Sequence, residues 1–274
     1  MKDRRISIFF TVVIAVLFPW ATAQASELSP ASSAYDAVGQ AARRLLDALV
    51  RADTSNPPGN ESRAAQIGAA RLRAAGISYE IAEFAAGREN LVARLKGRGT
   101  KKPVLLLAHT DVVGALGQNW SVPPHVLTEK EGYLYGRGVS DDLGMAATAL
   151  EVLVFLKESG ASLERDVILA WTGDEESGGL GIQKLLAERP ESLYCGVAFN
   201  EGGGIVLGED GRPKLVNLQT AEKTYHDFEL SAQGPTGHSS VPLADNAVYR
   251  LSEALARLGR HREPARLHPV VRAY

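Results

Sequence analysis

Residues 104–111 read Val104-Leu105-Leu106-Leu107-Ala108-His109-Thr110-Asp111. The run 104–108 is apolar at every position and too short for a helix, which suits a strand covered on both faces within a parallel sheet. It turns polar at once, placing an imidazole and a carboxylate two residues apart. Working outward, the same form recurs: 166–171 reads as a second buried strand and 196–199 as a third. Helices are predicted between them, at 143–158 and 180–188. Upstream, Val38, Ala41, Leu45 and Leu49 recur at helical spacing within 34–51. Asn56-Pro57-Pro58-Gly59 then interrupts, and a second helix is predicted over 61–75, ending at Gly76. Strands are predicted at 78–84 and 90–95, followed by a loop around Gly97-Arg98-Gly99. Strands alternating with helices imply right-handed crossovers and an α/β fold with a parallel-rich central sheet.

The chain has 274 residues, enough for one large domain or two smaller ones. Its formal net charge is −2 and no basic stripe runs along it, so nucleic acid is not expected as a partner. The first 25 residues differ from the rest. Lys2, Arg4 and Arg5 precede an apolar run over 6–18, and Ala23-Gln24-Ala25 has the small-x-small form of a cleavage site. The run is short for a membrane anchor, and no cysteine follows it to carry a lipid. A cleaved signal peptide at 1–25 is expected, with export to the periplasm or the cell exterior and no membrane association afterwards. The single cysteine, Cys195, cannot form an internal disulfide, and its apolar surroundings read as those of a small buried hydrophobe.

The texture changes near Gln219. Residues 224–232 alternate as an open-faced strand would, and 246–258 read as a helix. These elements are too few for an independent core. The sequence stops at Val270-Val271-Arg272-Ala273-Tyr274 with no terminating signal, so the expectation is a first domain over 26–219 and a second, cut short, over 220–274.

Polar residues gather at the strand ends. His109 and Asp111 follow the first buried strand, Asp174-Glu175-Glu176 the second, and Asn200-Glu201 the third. In an open α/β sheet, ligands bind at the carboxyl ends of the strands. Asp141-Asp142 adds carboxylates after the flexible Gly136-Arg137-Gly138; alone, Ser140 or Asp141 would be read as a helix cap. Carboxylates brought together repel unless positive charge lies between them, and two divalent cations would supply it. Imidazole and carboxylate ligands suit Zn²⁺ without a thiolate, and they suit Co²⁺ or Mn²⁺ as well.

Four segments carry a resemblance: Leu107-Ala108-His109-Thr110-Asp111-Val112-Val113, Tyr135-Gly136-Arg137-Gly138-Val139-Ser140-Asp141-Asp142, Thr172-Gly173-Asp174-Glu175-Glu176-Ser177-Gly178 and Asn200-Glu201-Gly202-Gly203. In order and spacing they resemble the two-zinc exopeptidases and amidohydrolases related to aminoacylase, carboxypeptidase G, acetylornithine deacetylase and succinyl-diaminopimelate desuccinylase. The resemblance implies that His109 and Glu201 hold one zinc, that Glu176 holds the other, and that Asp141 bridges the two. Glu175 would be the general base, and Asp111 would orient the imidazole of His109. His238, in Gly237-His238-Ser239-Ser240, matches a histidine that reaches a neighbouring subunit's site, which implies a homodimer formed through an α+β lid over 220–274. Two departures stand out. Leu143 occupies a position where many relatives have lysine, and the family's last zinc ligand is a histidine beyond the end of this sequence. The implied reaction is hydrolysis of the amide bond of a small peptide or N-acyl amino acid.

Other chemistries lack their motifs. There is no Gly-x-Ser-x-Gly elbow, no phosphate loop and no His-Glu-x-x-His. An exported binding domain, or an inactive fragment that keeps the fold without the chemistry, stays open as the alternative.

Overall fold

A computed structural model describes residues 32–210, 212–217, 226, 228–238, 240–241 and 243–273. The expected signal peptide at 1–25 lies outside them, as does much of the strand expected over 224–232; residues 228–232 are not in a strand. The chain divides into two compact units, Met1–Glu201 and Gly202–Tyr274.

The first unit opens with helices α1 (Ser32–Ala52) and α2 (Glu61–Ala74). A hairpin of β1 (Tyr79–Ala85) and β2 (Arg88–Leu95) follows, then β3 (Val104–His109). Helix α3 (Leu143–Glu158), strand β4 (Val167–Thr172), helix α4 (Leu180–Glu188) and strand β5 (Val197–Phe199) follow, and a small hairpin of Thr128–Lys130 with Tyr133–Tyr135 lies ahead of α3. The sheet order is β1-β2-β4-β3-β5. Strand β3 runs parallel to both β4 and β5, whereas β2 is antiparallel to β1 and β4. The sheet is therefore mixed, with its parallel part where the site residues emerge.

The sequence pattern accounts for the layering. Central β4 is buried at every position, so its two faces feed two cores. Leu169 and Trp171 point into the larger one, with Leu49 of α1, Leu72 of α2 and Leu150 of α3. Ile168 and Ala170 point the other way, against Leu185 of α4 and Leu193. Each fully buried leucine contributes about 1.5–3 kcal/mol. Leu143 belongs to the larger core and is 1% exposed, so an apolar side chain has a physical place there. Cys195 packs partly buried against the smaller core, and burial pushes its thiol upward, away from the thiolate a nucleophile requires.

The second unit holds a hairpin of β6 (Gly204–Leu207) and β7 (Pro213–Asn217), helix α5 (Ala247–Arg260) and short α6 (Pro269–Ala273). The hairpin was absent from the sequence reading, although Asp210-Gly211 between two apolar runs is a turn signal. Asn246 caps α5 by accepting the Tyr249 N–H at 3.0 Å. No residue of this unit whose exposure is described is buried. No described helix is long and apolar enough to cross a membrane.

Candidate metal centre

His109 is the last residue of β3 and only 3% exposed. Its Nδ1 lies 2.9 Å from the backbone carbonyl oxygen of Asp111. A carbonyl only accepts, so Nδ1 carries the proton and donates it, which turns the lone pair of Nε2 outward. That orientation is typical of a metal-binding histidine. Around Nε2 lie Asp141 Oδ1 at 2.9 Å, Glu201 Oε1 at 3.6 Å and Glu175 Oε2 at 4.0 Å. An imidazole lone pair ringed by carboxylate oxygens is unfavourable without a proton or a cation among them.

Asp141 and Asp142 are adjacent in sequence but differently placed. Asp141 has a side chain 65% exposed, whereas Asp142 is 2% exposed. Asp142 stands at the start of α3 yet makes no side-chain cap; its Oδ2 accepts the backbone N–H of His109 at 3.2 Å instead. Gly138, at φ 77°, brings this loop in so closely that a Cβ there would lie 2.6 Å from Val112 and 2.7 Å from Leu143. Two overlapping ligand groups result, His109–Asp142–Glu201 and His109–Asp141–Glu176. Within each, the donor atoms all lie within 4.8 Å of one another.

The electrostatics carry the mark of this crowding. Burial and the neighbouring Asp142, Asp141 and Glu175 outweigh His109 and push the Glu201 carboxyl up to about 7. Burial, with Asp141 and Glu175, likewise pushes Asp142 up to about 6. Glu176 is raised by burial and by Asp141. Burial opposes charge on His109, but Asp111, Asp141 and Glu201 overcome it and hold the imidazole near 10. A site that captures protons this strongly has the negative potential that divalent cations satisfy. Imidazole and carboxylate donors without thiolate fit Zn²⁺, Co²⁺ or Mn²⁺.

Beneath these groups lies a buried floor. Asp111, fully buried, accepts the backbone N–H groups of Glu175 and Glu176 at 3.0 and 3.1 Å. Asn56 donates to Asp111 at 2.8 Å and to Asp174 at 3.2 Å. It is held in place by the short parallel pairing of Ser55–Asn56 with Val112–Val113. The Asp111 carboxylate lies 3.6 Å from His109 Nδ1, so Asp111 holds the ring through its carbonyl and adds charge through its carboxylate. Although burial opposes ionisation, the nearby His109 and the bonds from Asn56 and the Glu175 N–H hold Asp111 below the usual carboxylate range.

The structure thus gathers His109, Asp111, Asp141, Glu175, Glu176 and Glu201, all singled out in the sequence, at the ends of β3, β4 and β5 and before α3. His238 lies in the second unit, exposed, with Ser240 Oγ 2.7 Å from its Nδ1. Sequence reasoning missed Asp142 as a donor. Its position beside Asp141 was the available signal. It also missed Asn56, Glu61 and Arg88, far along the chain from any strand-end motif.

Comparison with known proteins agrees with this geometry. The model of peptidase family M20/M25/M40 matches residues 105–268, more than half of the chain. The N-fatty-acyl-amino acid synthase/hydrolase PM20D1 of Xenopus tropicalis is 36% identical over 169 residues, covering 59% of this chain and 32% of that protein. A probable succinyl-diaminopimelate desuccinylase of Staphylococcus aureus is 35% identical over 180 residues, 65% of this chain and 42% of that one. The chain thus spans about a third to two fifths of the length of these relatives. Among solved structures, the di-peptidase Dug1p of Saccharomyces cerevisiae aligns with a TM-score of 0.54 at 21% identity, covering 64% of this chain and 41% of that one, which supports the fold. The M20 family metallo-carboxypeptidase Sso-CP2 of Sulfolobus solfataricus gives 0.53 at 22%, covering 63% and 39%. With its motifs inside the matched span and its histidine and carboxylates converging at the strand ends, the chain belongs to peptidase family M20/M25/M40, a metallopeptidase family.

Proposed function

We propose that the protein, exported to the periplasm or the cell exterior, hydrolyses the amide bond of a small peptide or N-acyl amino acid with two zinc ions. The observation that supports this most is the pair of ligand groups sharing His109, with the Glu175 carboxylate beside them and 54% exposed. The relatives' names point the same way, being those of proteins that act on dipeptides or acylated amino acids.

His109, Asp142 and Glu201 would hold one ion, and Asp141 and Glu176 the other, with Asp141 near enough to His109 to serve both. Bound there, the ions supply Lewis acidity to the amide carbonyl and make water a stronger acid. The remaining work falls to the chain. Glu175 takes a proton from the attacking water and passes it to the amide nitrogen as the carbon–nitrogen bond breaks. The products are a carboxylate and a free amine. Asp111 fixes the ring of His109 and the peptide groups of Glu175 and Glu176, so both glutamates leave the main chain at set positions. His238 would reach the site of a second copy in a homodimer formed through residues 220–274, as the family resemblance implies.

The test is metal content per chain in the full-length protein, with turnover of N-acyl amino acids and dipeptides before and after chelation. Two equivalents of zinc, with activity lost on chelation and restored by zinc, are expected. Protein that takes up no divalent metal even when it is added would overturn this reading and favour a non-catalytic binding domain.

A further inference from the structure

We propose that Arg88, at the start of strand β2 and outside every ligand motif, is a positioning residue for this reaction, acting with Glu61 on the turn that carries Glu175 and Glu176. This rests on the two-metal reading above and names a part of the site that the ligand motifs leave out.

The turn is held through Asp174, the residue just before the two glutamates. Asp174 has φ 69°, a left-handed conformation that residues with a Cβ disfavour, so the surroundings must hold it there. They claim each of its polar groups. Its N–H donates to Glu61 Oε1 at 3.2 Å. Its carbonyl accepts the N–H groups of Gly178 and Gly179 at 3.0 and 2.5 Å. Its carboxylate accepts from Leu180 N at 3.1 Å, Asn56 Nδ2 at 3.2 Å and Arg88 Nη1 at 2.9 Å.

Arg88 joins this hub to the domain beneath it. Its Nε and Nη2 form a two-pronged pair with Glu61 at 2.9 and 2.5 Å, while Nη1 reaches Asp174. Glu61, in the first turn of α2, is fully buried and Arg88 is 14% exposed. A planar fork with separate donors can serve two carboxylates at once, which an ammonium group cannot do with fixed geometry. The surroundings are cut to fit. A Cβ on Gly59 would collide with the guanidinium, and one on Gly173 would lie 2.7 Å from Glu61 Oε1. Phe84 closes the other side, its ring centroid 5.1 Å from the guanidinium carbon.

Burying two acids and an arginine is seldom the most stable way to fill a core, because desolvation offsets the attraction. What the cluster supplies is geometry. Asp174 is tied through Asn56 to Asp111, and Asp111 in turn holds the N–H groups of Glu175 and Glu176. Arg88 is thereby linked to the general base and to a metal ligand without touching either.

The experiment compares Arg88→Lys and Glu61→Gln with wild type in the full-length protein. It reads metal affinity by competition with a chromogenic chelator, kcat and KM separately, and the melting temperature. Both variants are expected to fold, to bind the second metal equivalent about tenfold more weakly and to lose about 10–100-fold in kcat, with KM changed less than about threefold. A purely structural brace would lower the melting temperature and leave metal affinity and kcat alone. Folded variants whose metal affinity and kcat stay within about twofold of wild type would overturn the proposal. So would loss of the fold in both, since the cluster would then support the whole domain and not one turn. Failure of the two-metal reading is told apart because it appears in wild type, as absent metal, before either variant is measured.

Discussion

The rim and the floor of the site are built on opposite terms. On the rim, Asp141, Glu175 and Glu201 have side chains 65%, 54% and 34% exposed. Among the described residues, none donates a hydrogen bond to the carboxylate of Glu175, Glu176 or Glu201; they are fixed only where they leave the main chain. On the floor, Asp111 and Glu61 are fully buried and bonded through both carboxylate oxygens. The fold divides the labour between the two. Buried groups spend their hydrogen bonds on holding peptide units still, whereas the heads of Glu175 and Glu201, unlike Asp141 at 2.9 Å from His109 Nε2, stay open to ligands that come from solution.

Substitution on the rim should cost the most activity. Glu175→Gln keeps the shape of the side chain and removes its capacity to take a proton, so kcat should fall by about 10²–10⁴-fold. Because Glu175 belongs to neither ligand group, metal content and melting temperature should hold. Steady-state kinetics beside metal analysis checks this. A variant retaining a tenth of wild-type turnover (about 1.4 kcal/mol in barrier) would remove Glu175 from the role of base.

The floor should answer differently. Asp111→Asn preserves volume but turns one acceptor into a donor, so an NH₂ group would face the N–H groups of Glu175 or Glu176, or the amide of Asn56. The expected loss is about 10–100-fold in kcat or metal affinity, with about 1–3 kcal/mol of stability for the acceptor withdrawn. Chemical denaturation and chelator competition on the same preparation separate the two. Equal losses from Asp111→Asn and Glu175→Gln, with metal still bound, would erase the distinction between floor and rim.

The rim was readable in the sequence, whereas of the floor only Asp111 was, for a physical reason. A strand apolar at each position of 104–108 and then polar at His109 announces a site, because burial on both faces leaves only the strand end for polar groups. Helix α3 begins and ends where the sequence placed it, since Gly138 and the acids before it and Gly160 after it punctuate an apolar run. The floor uses residues whose local context points elsewhere. Glu61 looks like an ordinary first-turn acid of α2, and Arg88 like a hairpin charge next to Gly87. Only pairing across the fold, 27 positions apart for that pair and 86 between Arg88 and Asp174, gives them a purpose. Asp142 falls between the two cases. Its type was visible, but its burial, against the exposure of Asp141, depends on how the chain turns into α3.

The smallest effect tests whether the charge on the rim belongs to metal. In the metal-free protein, Glu201 titrates at about 7 against an ordinary 4.5, and Asp142 at about 6 against 3.8. The folded state therefore keeps protons that the unfolded chain has released, and these groups withdraw stability as the pH rises from about 4 to about 7. His109, held near 10 against 6.5, has the same sign: its contribution is complete below 6.5 and lost as the pH climbs towards 10. All three make the chelated protein less stable with increasing pH. On the proposed reading divalent metal would take the place of those protons, with an affinity that grows as they leave. The melting temperatures of loaded and chelated protein should therefore converge near about pH 5 and separate by several degrees at about pH 8, at roughly 2–4 °C for each kcal/mol. A chelated protein that gained stability over that interval, or a gap that did not change with pH, would mean that cations do not occupy the space between these carboxylates. The rim would then need another account of its crowding.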